Sequence, residues 1–171
     1  METWDAIRAR RGVREFDDRA IAPDDLNRIL EAGRRSPSSR NEQRWDFVVI
    51  TDPEQLRRVS EVWRGAAHVA GAAAAVGLVA PHSDEPRENA SINFDLGQAA
   101  MSLQIAAADL GIGSRNASVH DYDLASEVLG LPRGRRLTWL LSLGYPADRP
   151  LKPIANPKRR PLDEVVHRDR W

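Results

Sequence analysis

The sequence contains no cysteine, which removes disulfide cross-links, thiolate metal sites and a cysteine nucleophile together. Any redox chemistry in such a chain has to be carried by a bound cofactor. Histidine is scarce: His68, His82, His120 and His167 are the four in the chain, and no two stand at a ligand spacing such as His-x-x-x-His, so no metal site is expected. There is no Gly-x-Gly-x-x-Gly behind an apolar run, which argues against a Rossmann dinucleotide site. Long hydrophobic runs are missing too. The most apolar stretch, residues 69–81, is broken by Gly71 and Gly77 and is too short to span a bilayer. The N-terminus, Met1-Glu2-Thr3-Trp4-Asp5, is acidic with no signal-type run behind it. A cytoplasmic protein with no membrane partner is expected. Net charge is also lacking, since 25 basic and 25 acidic residues cancel. No global field favours nucleic acid, and the arginine clusters lack the interleaved aromatics that a nucleic-acid surface uses. Any anion site has to be local.

A chain of 171 residues supports one sizeable core and leaves little room for a second, so a single domain over residues 1–171 is expected. No repeat or low-complexity tract interrupts it. Residues 147–171 carry Pro150, Pro153, Pro157 and Pro161, too many for a helix before Leu162. They read as an extended arm lying on a partner subunit.

What the sequence does have is a dense polar loop, Arg34 to Trp45. Pro37 pushes Ser36 toward extended backbone, so the helical pattern through Leu26, Ile29 and Leu30 stops here. Ser38, Ser39, Asn41 and Gln43 then present donors and acceptors together, as the edge of a heteroaromatic ring requires; an ordinary surface turn would also use these residue types. Near the N-terminus, Arg8, Arg10, Arg11 and Arg14 form a second cluster. Guanidinium forks suit a phosphate, and the plainer alternative is a solvated face paired with Glu15, Asp17 and Asp18.

Between these clusters the periodicity outlines the chain. A short helix around Trp4, Ile7 and Ala9 ends or bends at Gly12. Ala22-Pro23-Asp24-Asp25 starts a helix, and Phe47 to Ile50 is a strand. Asp52-Pro53 opens a helix through Val59. Ala75 to Ala80 is a buried strand ended by Pro81, followed by a charged surface loop over residues 82–90. Residues 92–110 repeat apolar positions at three- and four-residue spacing, the strongest helical signal in the chain. Glycines of Leu110-Gly111-Ile112-Gly113 end it with positive φ. Tyr122 to Leu131 is a short helix, Pro132 to Arg136 a basic turn, and Leu137 to Leu143 a strand. Trp45 and Trp139 are expected in the core and His120 at the surface. Trp63 and Trp171 fit either packing or a channel or subunit contact.

The segments Ile7-Arg8-Ala9-Arg10-Arg11-Gly12-Val13-Arg14-Glu15-Phe16 and Pro37-Ser38-Ser39-Arg40-Asn41-Glu42-Gln43-Arg44-Trp45, the latter leading into Phe47-Val48-Val49-Ile50, closely resemble the flavin-dependent nitroreductase family. So do Asp95-Leu96-Gly97 on the long Ala-rich helix, its Leu110-Gly111-Ile112-Gly113 ending, Leu143-Gly144-Tyr145-Pro146, and Pro157-Lys158-Arg159-Arg160-Pro161-Leu162. In this order the motifs cover nearly the whole chain. The resemblance implies an α+β, nitroreductase-like fold with a central, mostly antiparallel sheet flanked by helices. It also implies an intertwined homodimer, with FMN at each of two interface sites and the long helix at the dimer centre; on periodicity alone that helix's small residues are explained by core packing. NADH or NADPH would supply electrons, and a nitroaromatic, quinone or similar small acceptor would receive them by a ping-pong route, with no catalytic side chain. The residues implied to hold FMN are Arg10, Arg11 and Arg14 with Lys158 or Arg159 at the phosphate, and Pro37, Ser38, Ser39, Asn41, Gln43, Gly113 and Gly144 around the rest. The middle region is shorter than is common, which implies an open site. Two positions depart from the family pattern. Gly12 stands where Ser is common, and Arg44 where Pro is frequent, adding a charge that would bias the site toward anionic substrates. The rival readings are a module that stores, senses or delivers FMN without turnover, and a dimer that has lost the cofactor.

Overall fold

Two strands that are apolar on both faces decide the architecture. In β2 (Ala74–Pro81) all but the final proline are buried, and in β4 (Arg135–Gly144) the last five residues are. Such strands need cover on both sides. Ala74, Val76, Leu78 and Ala80 join Leu141 and Leu143 on one face, while Ala75 and Val79 join Leu137 and Leu140 on the other. The period-two alternation of a strand therefore divides one apolar run between two cores. The computed structural model describes residues 1–171. Its remaining elements are α1 (Thr3–Ala9), α2 (Pro23–Arg34), β1 (Asp46–Ile50), α3 (Pro53–Ser60), α4 (Pro86–Asp109), β3 (Gly113–Ser118) and α5 (Tyr122–Leu129). Short 3-10 turns lie at Ser39–Asn41, Arg64–Val69 and Leu162–Glu164.

The sheet has four strands in the order β1-β2-β4-β3, every pair antiparallel. A bulge between Leu78 and Val79 shifts the register, so that Trp139 packs on the first core while Leu137 and Leu140 face the second. α2 and α4 cover the first face through Ile29, Leu96, Ala99, Leu103 and Ala107. α3 and α5 cover the second through Leu56, Val59, Ala125 and Val128. The fold is thus α+β, with an antiparallel sheet between helical layers. Trp45 is buried as expected, and no helix is long and apolar enough to cross a membrane.

The helix boundaries follow their caps. Pro23 and Pro53 occupy first-turn positions, and the Asp52 carboxylate accepts the Gln55 N–H, satisfying one of the donors a helix start leaves free. Gly130 closes α5 with φ 60°. Two expectations are corrected, and one strand had no expectation. The charged loop over 82–90 is shorter than expected, because Glu85 caps the Arg87 N–H and Pro86 starts α4; residues 86–91 are polar because that turn is on the surface. Of the two glycines after α4, only Gly111 has positive φ, at 75°; Gly113 begins β3. β3 itself carried no strand signal. It is an edge strand reading Gly-Ser-Arg-Asn-Ala-Ser, and edge strands need little apolar content.

Candidate functional site

The polar loop is fixed to α4 and sharply bent. The Ser36 hydroxyl donates to Ser102 Oγ at 2.8 Å. The Ser39 N–H donates to both carboxylate oxygens of Asp95, at 3.1 and 3.2 Å, and Asp95 is only 3% exposed. Ser38 Oγ accepts the Gln43 N–H at 3.0 Å. Between these ties the backbone takes φ of 52° at Arg40, 57° at Asn41 and 49° at Gln43. Left-handed backbone at non-glycine residues costs on the order of 1 kcal/mol each and persists only where the surroundings enforce it. The result is an exposed crest bearing the amides of Asn41 and Gln43, where Gln43 Nε2 donates to the Asn41 carbonyl at 3.1 Å. Pro37 lies at its base, with its carbonyl facing Gln98 Nε2 at 3.4 Å.

Arg44 does not join this crest, contrary to the expectation of a charge facing substrate. Its side chain is 17% exposed and turned inward, 3.1 Å from Glu42 and 3.6 Å from each of Glu88 and Asp95. It also donates to Ser91 Oγ at 3.0 Å. These carboxylates, including the buried one of Asp95, claim the guanidinium, and its charge is balanced within the protomer.

The N-terminal arginines are placed by a segment that lies across the end of the sheet. Gly12 bridges Ser114 and Phe16 bridges Pro146; the Val13 N–H donates to the Ser114 carbonyl at 3.1 Å, and the Asp17 N–H to the Tyr145 carbonyl at 2.9 Å. Gly113 and Gly144 face each other in the β3–β4 register. A Cβ on Gly113 would stand 2.7 Å from Val13 Cγ2, and one on Gly144 2.7 Å from Phe16 Cδ1. Both glycines are therefore explained by packing: they let residues 12–16 lie flat.

From this segment the three arginines diverge. Arg10 donates to Gln104 Oε1 at 3.2 Å, and its buried Nε has no partner. It lines a groove of about 500 Å³ with Arg159, Pro157, Trp4, Ile7 and Met101. Arg11 is held by Asp148 at 2.6 Å and by the Arg149 carbonyl at 2.8 Å, and it holds the Asp148 carboxyl below its ordinary range. Arg14 is exposed, and its charge opposes the protonation of Arg115 and of His68. Lys158 is exposed on the arm. The structure thus brings Arg10 and Arg159 together at one groove, which neither Arg11 nor Arg14 lines.

Sequence reasoning missed a cluster on β3 and β4. His68 Nδ1 lies 2.9 Å from Ser142 Oγ, and the Ser142 hydroxyl donates to the Arg115 carbonyl at 3.3 Å. With the single hydroxyl proton used there, Nδ1 is the donor to Ser142 and Nε2 keeps its lone pair. That Nε2 is buried without a partner. Burial first, then the charges of Arg115 and Arg14, hold His68 down at about 4, so the ring is neutral. Arg115 lies below the ordinary guanidinium range for the same reasons, burial and then Arg14. The contacts span 74 and 27 residues and leave no local pattern to read. His120 is exposed as expected and stacks on Trp63 at 4.8 Å.

No hydrogen bond or ion pair joins the loop crest to the arginine segment within one chain. They attach to α4 at Asp95 and Gln104, positions about 14 Å apart along a helix axis at 1.5 Å per residue.

A sequence model described as "Nitroreductase family" matches residues 7–81 and 63–145, which include the arginine segment, the loop crest and the β3–β4 pair. A protein of Archaeoglobus fulgidus, whose name pairs NADH dehydrogenase with NAD(P)H nitroreductase, is 31% identical over 169 residues, 96% of each chain. The FMN reductase [NAD(P)H] of Bacillus subtilis is 24% identical over 189 residues, covering 99% of this chain and 74% of the relative. Among solved structures, an FMN-dependent nitroreductase from Clostridium difficile superposes with a TM-score of 0.84 at 22% identity, over 97% of this chain and 98% of the other. At that identity the superposition speaks for the fold, and the sequence matches carry the rest: this chain belongs to the nitroreductase family.

Proposed function

We propose that the chain is an FMN-dependent oxidoreductase that takes electrons from NADH or NADPH and passes them to a nitroaromatic, a quinone or a similar small acceptor by a ping-pong route. The observation that carries this reading is a set of cationic side chains without carboxylate partners. Of the residues Arg10, Arg11, Arg14, Lys158 and Arg159, only Arg11 makes an ion pair. Arg10 and Arg159 line one groove and neither has a carboxylate partner, whereas Arg28 is paired with Asp109, Arg57 with Glu54 and Arg58 with Glu127. Unpaired guanidiniums around a groove are available for a ligand phosphate, and the amides of Asn41 and Gln43 suit the donor and acceptor edge of a flavin pyrimidine ring.

The reading includes a homodimer, with residues 147–171 as an arm on the partner subunit. Trp4 and Phe94 are 66% and 70% exposed, and Ile7 and Met101 are exposed beside the Arg10 groove; an apolar surface of this kind asks for cover. A two-fold axis there would set the loop crest of one protomer against the arginines of its partner, which a single protomer keeps apart. Beyond Leu151 only Ile154 is even half-buried, its N–H bonded to the Arg8 carbonyl at 3.1 Å, and the rest of the arm is exposed, in keeping with that role.

Flavin would supply the hydride chemistry itself. The chain's part is to hold it: Arg10 and Arg159 at the phosphate, Ser38, Ser39, Asn41 and Gln43 along the ring, and positive charge where the reduced ring becomes anionic. The test is the visible spectrum of FMN-reconstituted protein, recorded anaerobically before and after NADH or NADPH. Bleaching of a protein-bound flavin band is expected. Bound flavin that neither nucleotide reduces would point to a storage or sensing module, and protein that takes up no flavin would refute the site.

A further inference from the structure

Gly12 has no Cβ, and the space is used by another side chain: a Cβ there would stand 2.7 Å from Nη1 of Arg115. Arg115 is anchored from behind, since its carbonyl accepts the Ser142 hydroxyl at 3.3 Å, and the same hydroxyl oxygen holds His68 at 2.9 Å. The bridge from Gly12 to Ser114 and the Val13 to Ser114 hydrogen bond keep residues 12–14 alongside β3. Arg14 and Arg115 are therefore neighbours. Neither has a carboxylate within ion-pair distance, although Arg8, Arg11 and Arg135 each do. The positive charge of Arg14 acts against that of Arg115, and the neutral His68, on which both charges act, presents a buried lone pair with no partner. Such an arrangement is stabilised when an anion or a polar ring edge fills the gap.

We propose that Arg115, lying over Gly12 and beside Arg14, is a cationic contact for the bound flavin nucleotide, occupying the space that a side chain at position 12 would otherwise fill. This rests on the FMN reading above. Two parts of that ligand share the required chemistry, the phosphate and the pyrimidine edge of the ring, each a delocalised acceptor for a guanidinium fork. The missing side chain at position 12 is then not a loss of binding capacity, because Arg115 reaches the same place from the sheet.

The experiment is a binding titration of flavin-free protein with FMN and with riboflavin, followed by flavin fluorescence. Wild type is compared with Arg115→Ala, Gly12→Ala and the double variant. Gly12→Ala is the discriminating change. Gly12 is not among the positive-φ glycines, so alanine fits its backbone, and the added methyl meets only the far end of a flexible side chain. It displaces the guanidinium without removing it. Each single variant is expected to weaken FMN binding about ten- to a hundredfold, the range of a charge-assisted hydrogen bond, and the double variant to be no weaker than Arg115→Ala alone. Loss for FMN with riboflavin unchanged assigns the contact to the phosphate; equal loss for both assigns it to the ring, and both results support the proposal. Wild-type affinity for FMN in Arg115→Ala, or single losses that simply add in the double variant, would overturn it. Wild type that binds no FMN would instead overturn the FMN reading and this inference with it.

Discussion

Lowering the pH from 7 to 4 probes His68, which the fold holds neutral. His68 falls from an ordinary 6.5 to about 4, chiefly through burial and secondarily through the charges of Arg115 and Arg14. The folded value lies below the unfolded one, so the unfolded chain takes up the proton first. His68 therefore contributes full stability above pH 6.5. That contribution declines as the pH falls from 6.5 to about 4 and stays constant below. At 1.36 kcal/mol per pH unit the full shift would be worth about 3 kcal/mol; because the ring is only half-buried, solvent screening reduces this to about 1–2 kcal/mol. The direct assay is NMR titration of the His Cε1–H resonances in flavin-free protein, with His68→Gln to assign the signal. Denaturant unfolding from pH 7 to 4, again against His68→Gln, gives the energetic side. Arg115→Ala should move the His68 midpoint up toward 6.5, since it removes a facing positive charge. A His68 resonance titrating at or above 6.5 in the wild type would refute the reasoning.

Two further substitutions test the supports of the site. Asp95→Ala strips the Ser39 N–H of its acceptor and Arg44 of its buried counter-charge; a loss of about 2–3 kcal/mol in denaturant unfolding is expected, together with weaker FMN binding as the crest relaxes. A variant as stable as the wild type would show that the loop holds its shape without this tie. Gly33→Ala puts a methyl 2.7 Å from Leu103 Cδ2 and 2.9 Å from its Cγ, where α2 meets α4. Overpacking of about 1–3 kcal/mol outweighs a helix-propensity gain of about 1 kcal/mol, so the thermal midpoint should drop. An unchanged or higher midpoint would mean that Leu103 repacks freely.

Local signals were legible where local chemistry made the structure. Pro23, Asp52 and Pro53 mark helix starts because they satisfy or dispense with free N–H groups at that very position. Ala75 to Ala80 announces a buried strand by composition alone. The loop crest was likewise readable, since Pro37 and the amide-bearing residues after it are the residues that build it. What was not legible depended on distant partners. Arg44 looks the same in sequence whether it faces solvent or Asp95, and only the fold brings Asp95 beneath it. Arg115 and His68 meet through Ser142, far along the chain from both, and β3, which carries Arg115, has too few apolar residues to show a strand's alternation. Arg11 looked like part of a phosphate clamp until Asp148, on the arm, claimed it.

The way residues 12–17 are held sets an order of events in the making of the protein. Every backbone bond that seats this segment on the sheet comes from residues 114–147: Ser114 to Val13, Tyr145 to Asp17, and Ala147 to Glu15. The arginines are made well before residues 114–147, yet the surface they lie on exists only after β4 has been synthesised and paired. Closing so long a loop is slow and comes late. A nascent chain that stops short of Gly144 therefore has residues 12–17 unplaced, and any cofactor bound there as proposed is captured only after the sheet is complete.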